Sequence, residues 1–420
     1  MDSQKSAAHQ TGESSFTKVT ILGAAGGIGQ PLATLFMLHS DLIQHIAMHD
    51  LVDSIHGVGL DVSHIDRRCK ITTHLGQDTL VEAVKGAKVV VIPAGLAQKP
   101  GMSRDDLFAS NAKILYNLVK VCAQNAPKAM LAIITNPINS LVPIACEVYN
   151  HYLNGPLTVS NQTQQQQAQA NKETVSCQKS VRSDGAAGTS STASGCAKLK
   201  FHDCFRRIFG VTTLDVVRAS SLLARSDFFK SEPNGMFRDP SGIQVPVVGG
   251  HAGKTIMPLL SQATPKLSRK VLAENKTITM TLVESIQQAG IEVLNAKKGK
   301  GSATMAMAYA ACRFTLSLLR SIRGEQNIVE CAYVRQPTPV IDDLDYFATP
   351  LVLGKEGFVK SLGIPGHHSS AASVSSASNN DNSHGLLPYE QQMLEEGAKE
   401  LKLSIVRGED FIREHLSAEK

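Results

Sequence analysis

Three evenly spaced glycines, Gly23, Gly26 and Gly29, follow the apolar run Lys18-Val19-Thr20-Ile21-Leu22 and precede a helical pattern. Glycines at such a junction let the backbone turn sharply and approach a pyrophosphate, which then sits on the free amides of a helix N-terminus. The spacing is G-x-x-G-x-x-G, a variant of the usual dinucleotide fingerprint, and a tight turn packed with small residues is the competing explanation. Asp50 closes the next apolar run, 21 residues after Gly29. An acidic side chain there accepts from adenosine ribose hydroxyls and repels a 2′-phosphate, so the pair of features favours NAD over NADP.

Positioning these groups requires alternating strands and helices. Residues 17–22, 43–50, 70–74, 88–95 and 129–135 read as strands, and residues 30–39, 79–86, 104–126 and 139–151 carry helical periodicity between them. Such alternation predicts an α/β fold, a Rossmann-type doubly wound parallel sheet joined by right-handed crossovers. The nucleotide-binding domain is expected over 17–158, after an N-terminal extension of residues 1–16.

The composition then breaks. Residues 159–200 hold four successive glutamines and Ser/Thr/Gly/Ala-rich text, and 366–385 is similarly Ser/Asn-rich. Segments with so few large apolar residues cannot bury enough surface to offset their conformational entropy, which predicts two low-complexity insertions. Between and around them, residues 201–420 are expected to form the catalytic domain, ending in a helix that starts at Pro388-Tyr389-Glu390.

A chain of 420 residues with 42 Lys+Arg against 37 Asp+Glu has too weak and scattered a positive charge for a nucleic-acid binder. Its longest apolar runs fall far short of the ~20 residues that cross a membrane. Eight dispersed cysteines, with no zinc-finger spacing, predict reduced thiols and no metal site. Residues 1–16 lack the apolar core of a secretory signal and the arginines of a transit peptide, and the final tripeptide is not of the peroxisomal type, so the expected address is cytoplasmic.

Four further segments complete a set: residues 98–108 (QKPGMSRDDLF), Ile134-Thr135-Asn136-Pro137, residues 210–218 (GVTTLDVVR) and residues 247–253 (VVGGHAG). In this order, behind the glycine loop, they resemble the NAD-dependent malate dehydrogenases of the lactate/malate dehydrogenase superfamily. The resemblance spans nearly all of 17–412 outside the two polar stretches. It implies that His251 exchanges the proton, the residue type suited to that work near neutrality. It also implies that Asp215 holds the other ring nitrogen, and that Arg218, one helical turn on, grips the substrate carboxylate with its planar fork. By the same resemblance Arg104 closes over the substrate and Asn136 bonds near the reacting oxygen, while Asn111, Ile134, Asn136 and Met307 contact the cofactor. Core packing is the competing explanation for Asn111, Ile134 and Met307. Residues 61–65 (DVSHI) resemble a subunit-contact helix, which implies a homodimer.

One position departs from the pattern. Malate dehydrogenases carry arginine at the first polar position of the substrate loop, opposite the second carboxylate, and this chain has Gln98, as lactate dehydrogenases do. Three readings follow: a malate/oxaloacetate enzyme that tolerates the change, a 2-hydroxy acid dehydrogenase retuned for monocarboxylic (lactate-like or aromatic) 2-oxo acids, or a non-enzymatic binding protein on a dehydrogenase fold.

Overall fold

The computed structural model describes residues 17–96, 104–154, 201–229, 239–299, 301–367 and 385–418. Both sequence-expected insertions lie almost entirely outside these residues, as do the N-terminal extension and Gln98.

The first half runs β1 (Lys18–Leu22), α1 (Gly29–Met37), β2 (His45–Asp50), α2 (Ile55–Ser63), β3 (Lys70–Leu75), α3 (Leu80–Val84), β4 (Val89–Ile92), α4 (Arg104–Asn125), β5 (Met130–Ile133) and α5 (Ile138–Asn154). After the gap come α6 (Phe201–Phe205), β6 (Ile208–Gly210) and α7 (Thr213–Ala224). The strands β3-β2-β1-β4-β5-β6 lie side by side and are all parallel. Every expected strand and helix of the first half is present, with ends that differ by up to three residues in either direction, and α2 is an additional helix. The parallel sheet extends one strand further than the expected boundary at 158, because β6 pairs with β5 in the register Leu131↔Ile208.

The central strands are buried on both faces, and their side chains alternate between two cores. On β4, Val90 and Ile92 enter the core built with α4 and α5, whereas Val89 and Val91 enter the core on the opposite face. Uninterrupted β-branched residues therefore serve as a strand here, since each face meets apolar partners.

The second half turns the sheet antiparallel. It contributes β7 (Val247–Gly249), β8 (Ile256–Pro258), α8 (Arg269–Glu274), α9 (Lys276–Ala296), α10 (Met305–Ile322), β9 (Val329–Arg335), β10 (Tyr346–Gly354), β11 (Gly357–Ser361) and α11 (Pro388–Ala418). β9 pairs antiparallel with β6 at Gly210↔Tyr333, and the order continues β10-β7-β8. The expected terminal helix begins at Pro388 and packs along α5. Gly408 allows that approach, since a Cβ there would stand 2.2 Å from the Ser140 carbonyl oxygen, and Gly397 lets the same helix lie on the β7–β8 segment, where a Cβ would stand 2.8 Å from the Lys254 carbonyl oxygen. The polar stretch before α11 leaves and returns at one point, closed by Leu386 N–H donating to Gly366 O at 3.1 Å.

Candidate active site

Asp215 lies in the first turn of α7 with no exposed surface, and Arg218 follows one turn later. His251 lies in the loop joining β7 to β8, and its Nδ1 stands 2.5 Å from Asp215 Oδ2. A carboxylate facing Nδ1 assigns the ring proton to that nitrogen and leaves Nε2 as the acceptor. Arg218 Nη1 stands 3.7 Å from Asp215 Oδ1, an ion pair without a hydrogen bond, and that oxygen has no hydrogen-bond partner. Burial pulls the Arg218 pKa below its ordinary value, opposed by Asp215 and Glu292. The guanidinium lies against α9, where a Cβ on Gly290 would make an ordinary contact with Nη1 at 3.7 Å. One helix and one loop thus bring together three of the sequence-expected residues: an imidazole for proton exchange, its carboxylate partner, and a cation for an anionic substrate group.

The His251 loop is set by groups that the sequence reading did not single out. The His251 backbone N–H donates to Asn139 Oδ1 at 2.8 Å, and Asn139 Nδ2 donates to Thr255 Oγ1 at 3.1 Å. A Cβ on Gly250 would stand 2.6 Å from both Asn139 Oδ1 and Thr255 Oγ1, so only glycine lets the loop lie on these side chains. Gly249 turns the chain at φ +97, in the left-handed region. The available signal was the position of Asn139, three residues after Asn136 at the start of α5.

Asn136 is exposed at the β5–α5 turn, and its carbonyl accepts from Asn111 Nδ2 at 2.8 Å. Asn111 itself is buried, with Oδ1 accepting from Leu96 N–H at 2.7 Å and Nδ2 also donating to Leu96 O at 3.2 Å. Its amide therefore ties the start of the substrate loop to the Asn136 turn. Ile134 and Met307 are buried in one apolar cluster on the α10 side of the sheet. Arg104 is the first residue of α4, and Gln98 falls outside the described residues.

At the same C-terminal end of the parallel strands, after β1, Gly23 turns at φ +99, and a Cβ there would stand 2.7 Å from the Ala94 backbone. A Cβ on Gly29 would meet Gly23 O at 2.3 Å, so this glycine lets α1 start directly against the turn. Gly26 and Gly27 expose bare backbone just before α1. That surface fits the diphosphate of a dinucleotide, which needs main-chain amides unobstructed by side chains. Asp50 Oδ2 accepts from Ala25 N–H at 2.9 Å and Oδ1 from Leu51 N–H at 2.7 Å. Its carboxylate braces the glycine loop. Among the described residues no cluster of His, Cys, Asp or Glu could hold a metal ion.

The lactate/malate dehydrogenase NAD binding domain matches residues 17–156, and the lactate/malate dehydrogenase alpha/beta C-terminal domain matches residues 212–412. Mitochondrial malate dehydrogenase of Felis catus is 39% identical over 397 residues, covering 94% of this chain and 92% of the relative. The corresponding Homo sapiens protein is 38% identical with the same coverage. Among solved structures, Cryptosporidium parvum malate dehydrogenase aligns with a TM-score of 0.64 at 20% identity, covering 94% of this chain and 99% of the other. Lactate dehydrogenase from the same organism, solved with lactic acid and nicotinamide adenine dinucleotide, gives 0.65 at 18% identity, covering 94% and 98%. With the nucleotide-binding turn, the parallel sheet and the His251–Asp215 pair on one chain, these matches establish that the chain belongs to the lactate/malate dehydrogenase family, as an NAD-dependent oxidoreductase of CH–OH donors.

Proposed function

We propose that this dehydrogenase interconverts malate and oxaloacetate, or a closely related (S)-2-hydroxy acid and its 2-oxo acid, with His251 as the proton-exchanging group. The observation that carries the reading is the 2.5 Å contact between His251 Nδ1 and the fully buried Asp215, with Arg218 one turn along the same helix. NAD, when bound, supplies the hydride acceptor for oxidation and the donor for reduction. Gly23, Gly26 and Gly29 shape the turn that receives its diphosphate, and Asp50 is the acceptor for its ribose.

During alcohol oxidation His251 Nε2 takes the hydroxyl proton, and Asp215 stabilises the imidazolium that forms. During reduction the same proton returns to the carbonyl oxygen. Arg218 holds the carboxylate beside the reacting carbon in a bidentate grip, which fixes the face presented to the cofactor. Arg104 and Asn136 are the residues proposed to polarise the carbonyl from the substrate loop and the β5–α5 turn. A protein that only binds ligands has no need of this buried acid–base pair, which argues against the non-enzymatic reading.

Gln98 supports a second reading, a retuned specificity. Removing one member of a desolvated ion pair typically costs about 3–5 kcal/mol, or a factor on the order of 10² to 10³ and more in preference. A glutamine opposite the second carboxylate of oxaloacetate should therefore favour monocarboxylic 2-oxo acids. Rates of NADH oxidation on oxaloacetate, pyruvate and phenylpyruvate discriminate the two. A large oxaloacetate preference in the native enzyme sinks the retuned reading. If Gln98→Arg raises oxaloacetate turnover by about 10²-fold at the expense of pyruvate, that one position sets the choice.

A homodimer belongs to the proposal, supported by Leu60, which is 61% exposed on α2 beside Asp61 and Val62. Light scattering of the purified chain should give twice the monomer mass. The cytoplasmic address is also proposed. The Felis catus and Homo sapiens relatives are named mitochondrial, and the free cysteines of the described residues fit either reducing compartment. Fractionating cells that express the full chain separates the two.

A further inference from the structure

We infer that Asn139 is a positioning residue for proton transfer: its side-chain amide sets the backbone of His251 and thereby the distance from the imidazole to Asp215. The inference rests on the acid–base role proposed for His251.

Asn139 is almost fully buried at the start of α5, and it uses both ends of its amide. Oδ1 accepts the His251 backbone N–H at 2.8 Å, and Nδ2 donates to Thr255 Oγ1 at 3.1 Å. The Thr255 hydroxyl has one proton and two lone pairs, and all three are engaged. It donates to Ala252 O at 2.7 Å and accepts from Ala252 N–H at 3.0 Å as well as from Asn139. Since its proton is already committed, its remaining partner has to be a donor, while the His251 N–H requires an acceptor. A primary amide offers both at once and does so at any protonation state of its surroundings. The Asn139 backbone is itself held, with Tyr333 Oη–H donating to Asn139 O at 3.2 Å.

Within the loop Gly250 N–H donates to Thr255 O at 2.7 Å and Thr255 N–H to Ala252 O at 2.9 Å, while the backbone N–H of His251 itself is held by Asn139. Gly249 and Gly250 precede His251 and Gly253 follows, so the local backbone is permissive and its conformation is imposed by these hydrogen bonds. Removing the Asn139 amide leaves the His251 N–H without its acceptor and frees the loop to shift relative to α7. A displacement of about 1 Å at a reacting group is enough to cost on the order of 10²-fold in rate.

Three variants of the full-length enzyme test this: Asn139→Ala, Thr255→Val and the double variant. They are compared on kcat, KM for oxaloacetate and for pyruvate, the Kd for NADH, and the downfield proton NMR signal of His251 Nδ1–H, identified by its loss in His251→Asn. Asn139→Ala should lower kcat by at least about 10-fold while KM and the NADH Kd move less than about 3-fold, and the Nδ1 signal should shift or broaden. Thr255→Val should act in the same direction, and the double variant should be no worse than Asn139→Ala, because the two side chains form one strut. An unchanged kcat with an unchanged signal overturns the inference, as does a loss fully accounted for by the unfolded fraction, or strict additivity in the double variant. Should Asn139→Ala not fold, Thr255→Val alone decides, by its kcat and its Nδ1 signal. Wild-type turnover in His251→Asn would instead overturn the acid–base reading, and the Nδ1 signal, which needs no turnover, would still report whether Asn139 sets the ring.

Discussion

Asp215 spends one oxygen on His251 and leaves the other without a hydrogen bond, 3.7 Å from Arg218 Nη1. The two functions expected of it, fixing the tautomer and stabilising the imidazolium, both depend on an acceptor facing Nδ1. Asp215→Asn keeps the size, removes the charge, and can turn an NH2 group toward the ring, which favours the tautomer with Nδ1 unprotonated. We predict that kcat falls by on the order of 10² to 10⁴ while the Kd for NADH is unchanged; steady-state rates with fluorescence titration of NADH check this, and a kcat within a factor of about three of wild type would rule out the assigned role. The residue types and order at 215, 218 and 251 made this triad legible in the sequence. Asn139 and Thr255 were not legible, because a buried amide and hydroxyl acquire their meaning only from partners more than a hundred residues away. Asn111 shows the same limit: its type was noted, but its amide proved to be occupied in joining Leu96 to the Asn136 turn.

Elements carry these side chains to one place only if they approach closely enough. Gly→Ala inside an exposed helix ordinarily stabilises by up to about 1 kcal/mol. At Gly408 on α11 the sign reverses, because the new Cβ would meet the Ser140 carbonyl at 2.2 Å and Pro143 Cβ at 3.3 Å. Gly408→Ala should therefore lower stability by about 1–3 kcal/mol through overpacking, and it should lower kcat as well, since Ser140 adjoins Asn139. Thermal and urea denaturation check the first part, and a stabilised variant would contradict it. That crossing was invisible in the sequence, where the start of α11 was read correctly from Pro388 but its partner helix could not be.

A second element-scale effect sits at the edge of the sheet. One face of β1–β3 is polar, carrying Lys18 and Thr20 beside His45, His49, Thr72 and His74, and the short α3 packs against it. Lys18 Nζ donates to the carbonyls of Glu82 and Lys85, and Thr20 Oγ1 to that of Ala83. Thr72 Oγ1 bridges His45 Nε2 at 2.8 Å and His74 Nε2 at 3.0 Å. Burial pulls His45 down to about 4, with Lys18, Lys70 and His74 adding to the effect, and burial also lowers His49 and His74. A base whose folded pKa lies below its unfolded value of 6.5 takes up a proton on unfolding. Stability contributed this way is intact above the unfolded pKa and is lost as pH falls from about 6.5 toward about 4. The Tm should drop between about pH 7 and about pH 4.5, and the drop should be smaller in His45→Gln, which retains a bonding partner for Thr72. An equal drop in both proteins would remove His45 from the account.

At the scale of the whole molecule, the family match stops at 156 and resumes at 212, and between them the chain passes from α5 to β6 by way of residues 155–200. The folded parts on either side are held by contacts that do not involve that stretch. β6 is paired parallel to β5, Arg206 Nη1 donates to the carbonyls of Phe358 and Val359, and α5 packs along α11. The composition of 159–200, rich in Gln, Ser, Thr and Gly, offers little apolar area to add to either core. The cost of closing a loop grows only as the logarithm of its length, about 0.6 kcal/mol per doubling. Shortening this connection to the few residues before Val159 should then raise stability by up to about 2 kcal/mol, provided that the remaining link spans the gap without strain. We therefore predict that a chain lacking 159–200 stays soluble, binds NADH with its original Kd, keeps kcat within about twofold, and melts no lower than the full-length protein. Calorimetry and NADH titration of the two chains side by side provide the measurement. A deleted chain that no longer folds would mean that residues 159–200 contribute packing to the catalytic lobe which their composition does not suggest, whereas a deleted chain that folds and binds NADH but has lost turnover would assign them a part in the reaction itself.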